Sequence, residues 1–206
     1  MRRWSQQCSH GHFVFTSNVD GHFIKAGFNA DRVVECHGSV HFLQPFESEH
    51  SRHIWPSQDT LATLRVNPET FLAEGDLPMC PPEAGAAAGR LARPNVLMFG
   101  DNGWVSTRTA DQHARMDQFV DGLPKHTNVV VIEIGAGTAI PTVRMTSENM
   151  LHVFPNATLL RINPAEPEGP GNTIQIPMGG KDALVRLEEA LGAGAGVGAE
   201  AGVDKA

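Results

Sequence analysis

The sequence predicts an α/β fold with a mainly parallel sheet, and three observations carry that expectation. Short apolar runs suited to buried strands recur along the chain. Each run ends in a polar or glycine-bearing turn, and stretches of helical length separate several of them. In such folds ligands bind beyond the carboxyl ends of the strands, so those turns are where chemistry is expected.

In chain order, the runs are His12–Phe15 leading into Thr16-Ser17-Asn18, and Arg32–Cys36 leading into His37-Gly38. Next come Asn95–Phe99 before Gly100-Asp101, Asn128–Ile134 before Gly135-Ala136-Gly137-Thr138, and Ala157–Ile162 before Asn163-Pro164. Helices are expected over Ser106–Val120, about Thr142–Val153, and Lys181–Leu191. The stretch from Phe42 to Arg93 breaks the rhythm and reads as an inserted, loop-rich module within a domain covering 1–190. The run Ala84–Gly89 is a surface loop. The Gly/Ala-rich tail, 191–206, cannot bury a core and is expected to be disordered.

Composition narrows the function classes. At 206 residues, 41% hydrophobic and 19% charged, the chain is long enough for one globular domain with a sizeable core. The net charge of −7 and scattered basic residues argue against a nucleic-acid partner. No apolar stretch reaches membrane-spanning length and no signal-peptide pattern opens the chain, so neither a membrane partner nor secretion is expected. Three cysteines (Cys8, Cys36 and Cys80) are too few and too widely spaced for a disulfide framework, which suits a reducing, cytoplasmic (intracellular) setting. Seven of the ten histidines fall before residue 54.

Several turns carry groups with chemical potential. Gly135-Ala136-Gly137-Thr138-Ala139-Ile140 puts two glycines directly after a strand, which permits a tight turn and close approach of amides to a phosphate. Ile140 stands where a third glycine of the dinucleotide fingerprint would be. Asn163 and Glu166 follow the next strand, where a polar or acidic group can hydrogen-bond a ribose hydroxyl. Either turn alone is equally an ordinary strand-to-helix turn or cap. In Thr16-Ser17-Asn18-Val19-Asp20-Gly21, Asn18 and Asp20 can bind an amide or a sugar, but both also favour plain turns. His37, between a strand and a glycine, is suited to general-base work near neutral pH.

Taken in order, TSNVDGHFIKAGF, VVECHGSVHFLQ, LARPNVLMFGD, GTAIPTV and INPAEP resemble the sirtuin family over roughly residues 4–190. That family carries a T-x-N-[IV]-D-G turn, a strand ending in H-G-S, a zinc-binding insert, an R-P-x-[VI]-x-x-F-G-[ED] segment, a G-T-S turn and an I-N-x-E turn. The resemblance implies a Rossmann-like fold and an NAD-dependent protein-lysine deacylase acting on an acylated-lysine protein or peptide. A variant of that chemistry transfers ADP-ribose to protein. By the resemblance His37 is the catalytic histidine, while Ser17, Asn18 and Asp20 line the nicotinamide and ribose pocket. Gly137, Thr138, Ala139 and Asn163 hold the rest of NAD, and Phe99, Gly100 and Asp101 receive the substrate peptide as an added strand.

The departures shape the alternatives. Ser17 replaces the usual glutamine and Ala139 replaces the serine of G-T-S. The glycine-rich G-A-G-[IM]-S turn and arginine-bearing cofactor loop of the family's amino-terminal segment have no counterpart here, so the chain is expected to be incomplete on that side. The sheet would then expose an apolar edge and the isolated chain would be poorly soluble. Of the family's two zinc-binding cysteine pairs only Cys80 remains, with Pro45 in the first region and Glu83 near the second partner's place. A zinc-free degenerate module is expected. The alternative is an improvised site of Cys80, His50 and His53 with Glu47 or Glu49. The competing functional reading is an inactive remnant, or a module that binds NAD or ADP-ribose without turning it over.

Overall fold

The computed structural model describes residues 1–200, with side chains from 1 to 192. It divides into two units, one from Arg2 to Gly122 and a second from Leu123 onward.

The first unit opens with a helical turn, α1 (Arg2–Ser5), then β1 (Val14–Thr16), α2 (His22–Lys25) and β2 (Val33–Glu35). β1 and β2 pair in parallel, with Val14 opposite Val33 and Thr16 opposite Glu35. Val33 and Val34 are fully buried, and their β-branched side chains suit a buried strand. The chain then reverses into β3 (Gly38–Pro45), followed by β4 (Trp55–Pro56), α3 (Gln58–Leu61), the hairpin of β5 (Arg65–Val66) with β6 (Ala73–Glu74), and β7 (Ala92–Val96). Strands β4, β3 and β7 form a second, antiparallel sheet in that order. Helix α4 (Thr107–Asp121) closes the unit and stops at Gly122, just before Pro124.

One expectation needs correction here. The run Asn95–Phe99 is not a buried parallel strand. Pairing covers Ala92–Val96, runs antiparallel to β3, and leaves Leu97, Met98 and Phe99 exposed. β3 itself continues to Pro45. The segment between β3 and β7 has its own small core of Trp55, Cys80, Ala84 and Ala87, packed with Leu43 and Ala92.

In the second unit β8 (Val130–Ile134), α5 (Thr142–Val153), β9 (Thr158–Ile162), β10 (Thr173–Ile176) and α6 (Gly180–Glu200) follow one another. The three strands are parallel, with β9 in the centre. Parallel strands combined with helices make this an α/β unit as expected, although no helix separates β9 from β10. β10 falls in a stretch with no predicted element: a four-residue run between Pro170-Gly171 and Pro177 is too short to stand out. Leu159 and Ile162 are sealed, and so is Arg161 beside them. Helix α6 runs past Leu191, so the Gly/Ala tail begins inside it. The side chains of that tail from 193 on, and residues 201–206 altogether, lie outside the described residues. Among the described residues no helix is long and apolar enough to cross a membrane.

Candidate functional site

In the first unit the site is built at the carboxyl ends of two parallel neighbours. The Thr16–Glu35 register, extended by the Cys36 amide donating to Thr16 O at 2.9 Å, sets the turn Ser17–Gly21 beside the turn Cys36-His37-Gly38. β2 is anchored from behind by α4. Gln112 Oε1 accepts from the Glu35 amide (3.1 Å), Thr109 Oγ1 donates to Glu35 O (3.3 Å), and Arg108 forms an ion pair with the buried Glu35 carboxylate. A carboxylate taken out of water needs such a partner.

Within the first turn the polar residues divide by role. Asp20 Oδ1 accepts from the His22 amide (2.9 Å) at the start of α2, and its other oxygen lies 3.3 Å from His22 Nδ1. That is the local turn use of an aspartate. Val19 O accepts from Val40 N (3.0 Å) and Asp20 O lies 3.0 Å from His41 Nε2, which ties the turn to β3. Gly21, at φ +65°, sits so close to the His41 ring that a β-carbon would lie 2.6 Å from it. Ser17 is half-buried, whereas Asn18 is exposed and its carboxamide makes no hydrogen bond among the described residues. Asn18 therefore has free donors and an acceptor, and Asp20 is already engaged.

His37 is half-buried, and its ring makes no hydrogen bond among the described residues; its backbone O accepts from Leu97 N at 2.9 Å. Gly38 follows at φ +84° and turns the chain into β3. Burial pushes the neighbouring Cys36 thiol up to about 11, so it is protonated near neutral pH and is a buried turn residue, not a nucleophile.

The 97–101 segment leaves β7 on the free edge of its sheet. Phe99 is 90% exposed and Gly100 takes φ +69°. The Asp101 carboxylate is fully engaged: Arg93 Nη2 donates to both its oxygens (2.9 and 2.8 Å), and the amides of Gly103 and Met98 also donate to it. Burial raises its pKa, but the Arg93 hydrogen bonds and charge with those amides outweigh it and hold the carboxyl below its ordinary value. Asp101 thus shapes the loop that presents Phe99.

In the second unit the turns after β8 and β9 are joined. Gly135 adopts φ +69° and donates to Ile162 O at 2.9 Å. Glu166 accepts from both the amide and the hydroxyl of Thr138 (2.8 and 2.6 Å). Asn163 is buried and fully committed: Nδ2 donates to Ala136 O (3.0 Å) and Oδ1 accepts from the amides of Ala165 and Glu166. Gly137 faces Glu166, whose Oε2 would lie 3.4 Å from a β-carbon added there, and Ala139 is exposed.

Sequence reasoning missed the residue that clamps these turns. Arg144, on the first turn of α5, donates to Ala136 O (3.2 Å), Glu166 O (3.0 Å) and Glu168 O (2.7 Å). Beneath them the guanidinium of Arg161 donates to both oxygens of Glu133 (2.5 and 3.0 Å), to Glu148 Oε1 (2.8 Å) and to Glu168 O (2.5 Å). A signal for this pair existed: VVIEI and TLLRI each carry one charge at the fourth position of an otherwise mostly apolar strand, and the register sets Glu133 opposite Arg161.

The hydrogen bonds from Thr138 hold the Glu166 carboxyl below its ordinary value, with its amide and the nearby Arg144 charge adding to the effect. A depressed folded-state pKa gives stability that is present above the ordinary glutamate pKa and lost as pH falls through the lower folded value. We therefore expect the Thr138 amide resonance to move on acidification with a midpoint below the ordinary glutamate value. A midpoint at or above that value would mean that the Glu166–Thr138 contact does not form in solution.

As for metal ligands, Cys80 is buried, with its thiol donating to Leu91 O at 3.4 Å; burial raises its pKa. His53 stacks on Trp55, while Glu47, Glu49 and His50 cluster within 4.8 Å of one another at the surface. The described residues do not gather Cys80 and His53 into that cluster.

No protein-family model and no curated protein matches the chain. Among solved structures it is similar to one described as "Structural Basis for the Mechanism and Regulation of Sir2 Enzymes", at 20% identity and a TM-score of 0.45. The likeness covers 75% of this chain, which spans 50% of that structure.

Proposed function

We propose that the chain is a sirtuin-type protein, an NAD-dependent protein-lysine deacylase or a part of one. The observation that carries this reading is the juxtaposition in the first unit. A histidine with an unbonded ring (His37) and an asparagine with a free carboxamide (Asn18) stand on adjacent turns at one end of a parallel strand pair. Such an end is the usual place for a ligand.

The second unit fits NAD in one respect and not in another. The Glu166 carboxylate beside the Gly135–Thr138 turn is suited to accept hydroxyl protons from a ribose. It also takes the Thr138 amide and adds negative charge, so this turn as it stands does not cradle a phosphate. With both ends of its side chain bonded to backbone, Asn163 is better suited to shape the ribose site than to touch the sugar.

Bound NAD would supply a nicotinamide–ribose bond; its cleavage, with transfer of the acyl group from lysine to the ribose and one water consumed to release the amine, would give nicotinamide, O-acyl-ADP-ribose and free lysine. In this reading the carboxamide of Asn18 orients the nicotinamide end, and His37 holds the proton of a ribose hydroxyl at a ring nitrogen. The exposed segment Leu97–Phe99, just beyond β7, takes an acylated peptide through backbone pairing. Excluding water and aligning a weak amide nucleophile are the main demands of such a reaction.

The test is calorimetric titration of NAD with a parallel deacylation assay on an acyl-lysine peptide. Asn18→Ala should weaken NAD by about tenfold, the value of one good polar contact. His37→Ala should retain binding and lose free-lysine formation. The second reading, a non-catalytic binder, rests on how many polar groups of the turns the protein already uses. It predicts ADP-ribose binding with no turnover in any variant. Absence of binding by either nucleotide would overturn both.

A further inference from the structure

The first unit carries a cationic groove outside both turns, of about 350 Å³. Its charge comes from three arginines. Arg108 and Arg115 lie seven residues apart on one face of α4, and Arg52 comes from the loop after β3. Asp111 is the lone carboxylate of the lining, and Phe42 and His53 supply ring walls.

Arg108 is neutralised from behind by Glu35 and lies 4.1 Å over the Phe42 ring. Arg115 reaches Asp31 only at 4.0 Å, across a contact whose aspartate is 78% exposed. Arg52 is exposed and has no ion pair or hydrogen bond among the described residues. The lining therefore keeps a positive excess in a chain whose net charge is −7. In addition, Arg108 Nη1 and Arg115 Nε are buried with no hydrogen-bond partner among the described residues. Unpaired donors on charged groups are costly, and proteins usually match them.

All three cations are arginine, whose planar fork pairs with two oxygens of one anion at once. The groove also opens at the amino-terminal turn of the fifteen-residue α4, where Thr107 lines it and backbone dipoles favour an anion. We propose that this groove binds a phosphate-bearing ligand, held by Arg52 and Arg115 with Arg108 as a fixed, ring-supported base.

The test uses inorganic pyrophosphate as probe, titrated into the full chain and followed by amide chemical shifts. Expected are saturable shifts at Thr107, Arg108 and Asp111 that weaken as salt is raised. Arg52→Gln and Arg115→Gln should each weaken binding by about tenfold. Asp111→Asn, which removes the repelling rim charge, should tighten it by about threefold. Arg52 and Asp111 are exposed, so these two variants decide the matter even if Arg115→Gln fails to fold. Unchanged affinity in Arg52→Gln and Asp111→Asn would overturn the proposal. Shifts confined to residues 135–168, or none at millimolar probe, would do so as well.

Discussion

Replacing Gly38 by alanine is expected to lower stability by about 3 kcal/mol or more, a large share of a typical domain's margin. Two costs add. At φ +84° an L side chain is strained by roughly 1–2 kcal/mol. The added β-carbon would also sit 2.1 Å from Asn95 O, with Asn95 C at 3.0 Å and Val96 Cα at 3.2 Å. These are backbone atoms of the paired strand, not the end of a flexible side chain, so relief requires β3 and β7 to part. Gly38 pairs with Val96, and His37 O holds Leu97, so such a shift moves His37 as well. Denaturant unfolding should show the loss, with Gly75→Ala as control: Gly75 also has positive φ (+90°) but nothing within 4 Å. A Gly38→Ala protein no less stable than the control would refute the close approach.

The second large effect concerns Arg161. Arg161→Met should cost about 3–5 kcal/mol, because it leaves the buried Glu133 carboxylate without its cation. Burial disfavours the charged guanidinium, but hydrogen bonds and charge from Glu133 and Glu148 more than compensate and raise its pKa. Removing both charges, in Glu133→Leu/Arg161→Met, should recover most of the loss. Glu148 is 35% exposed on its side chain and can turn to water. Urea melts of the single and double variants measure the coupling. If the double variant is no more stable than Arg161→Met, the energy resides in the Glu148 and Glu168 contacts instead.

Much of the secondary structure was legible in the sequence. Helix α5 matches its expected limits, α4 lies within one residue of them, the strands at 33–35, 130–134 and 158–162 fall inside their expected runs, and the strand at 14–16 extends one residue past its run, to Thr16. Those elements carry their own signals of apolar runs, periodicity and breaking residues. Asn95–Phe99 misled because hydrophobicity reports a tendency to be buried, not a partner. The reversal at Gly38 pairs β3 with 92–96 and leaves Phe99 in solvent. β10 was too short to read alone and exists because β9 offers it an edge.

For the candidate site, the sequence by itself determined which residue types stand at strand ends: Asn18, Asp20, His37, Thr138, Asn163 and Glu166. Only the tertiary structure decided which of these remain free to act. Among the described residues the Asn18 carboxamide and the His37 ring are unbonded, while Asp20 starts a helix, Asp101 answers Arg93, and Asn163 and Thr138 tie the turns after β8 and β9 to each other. The physical reason is that a polar side chain's availability depends on the donors and acceptors the fold brings to it. Glu166 meets Thr138, Asn163 meets Ala136 O and Arg144 meets Glu166 O from remote positions in the chain, and no local pattern records that meeting.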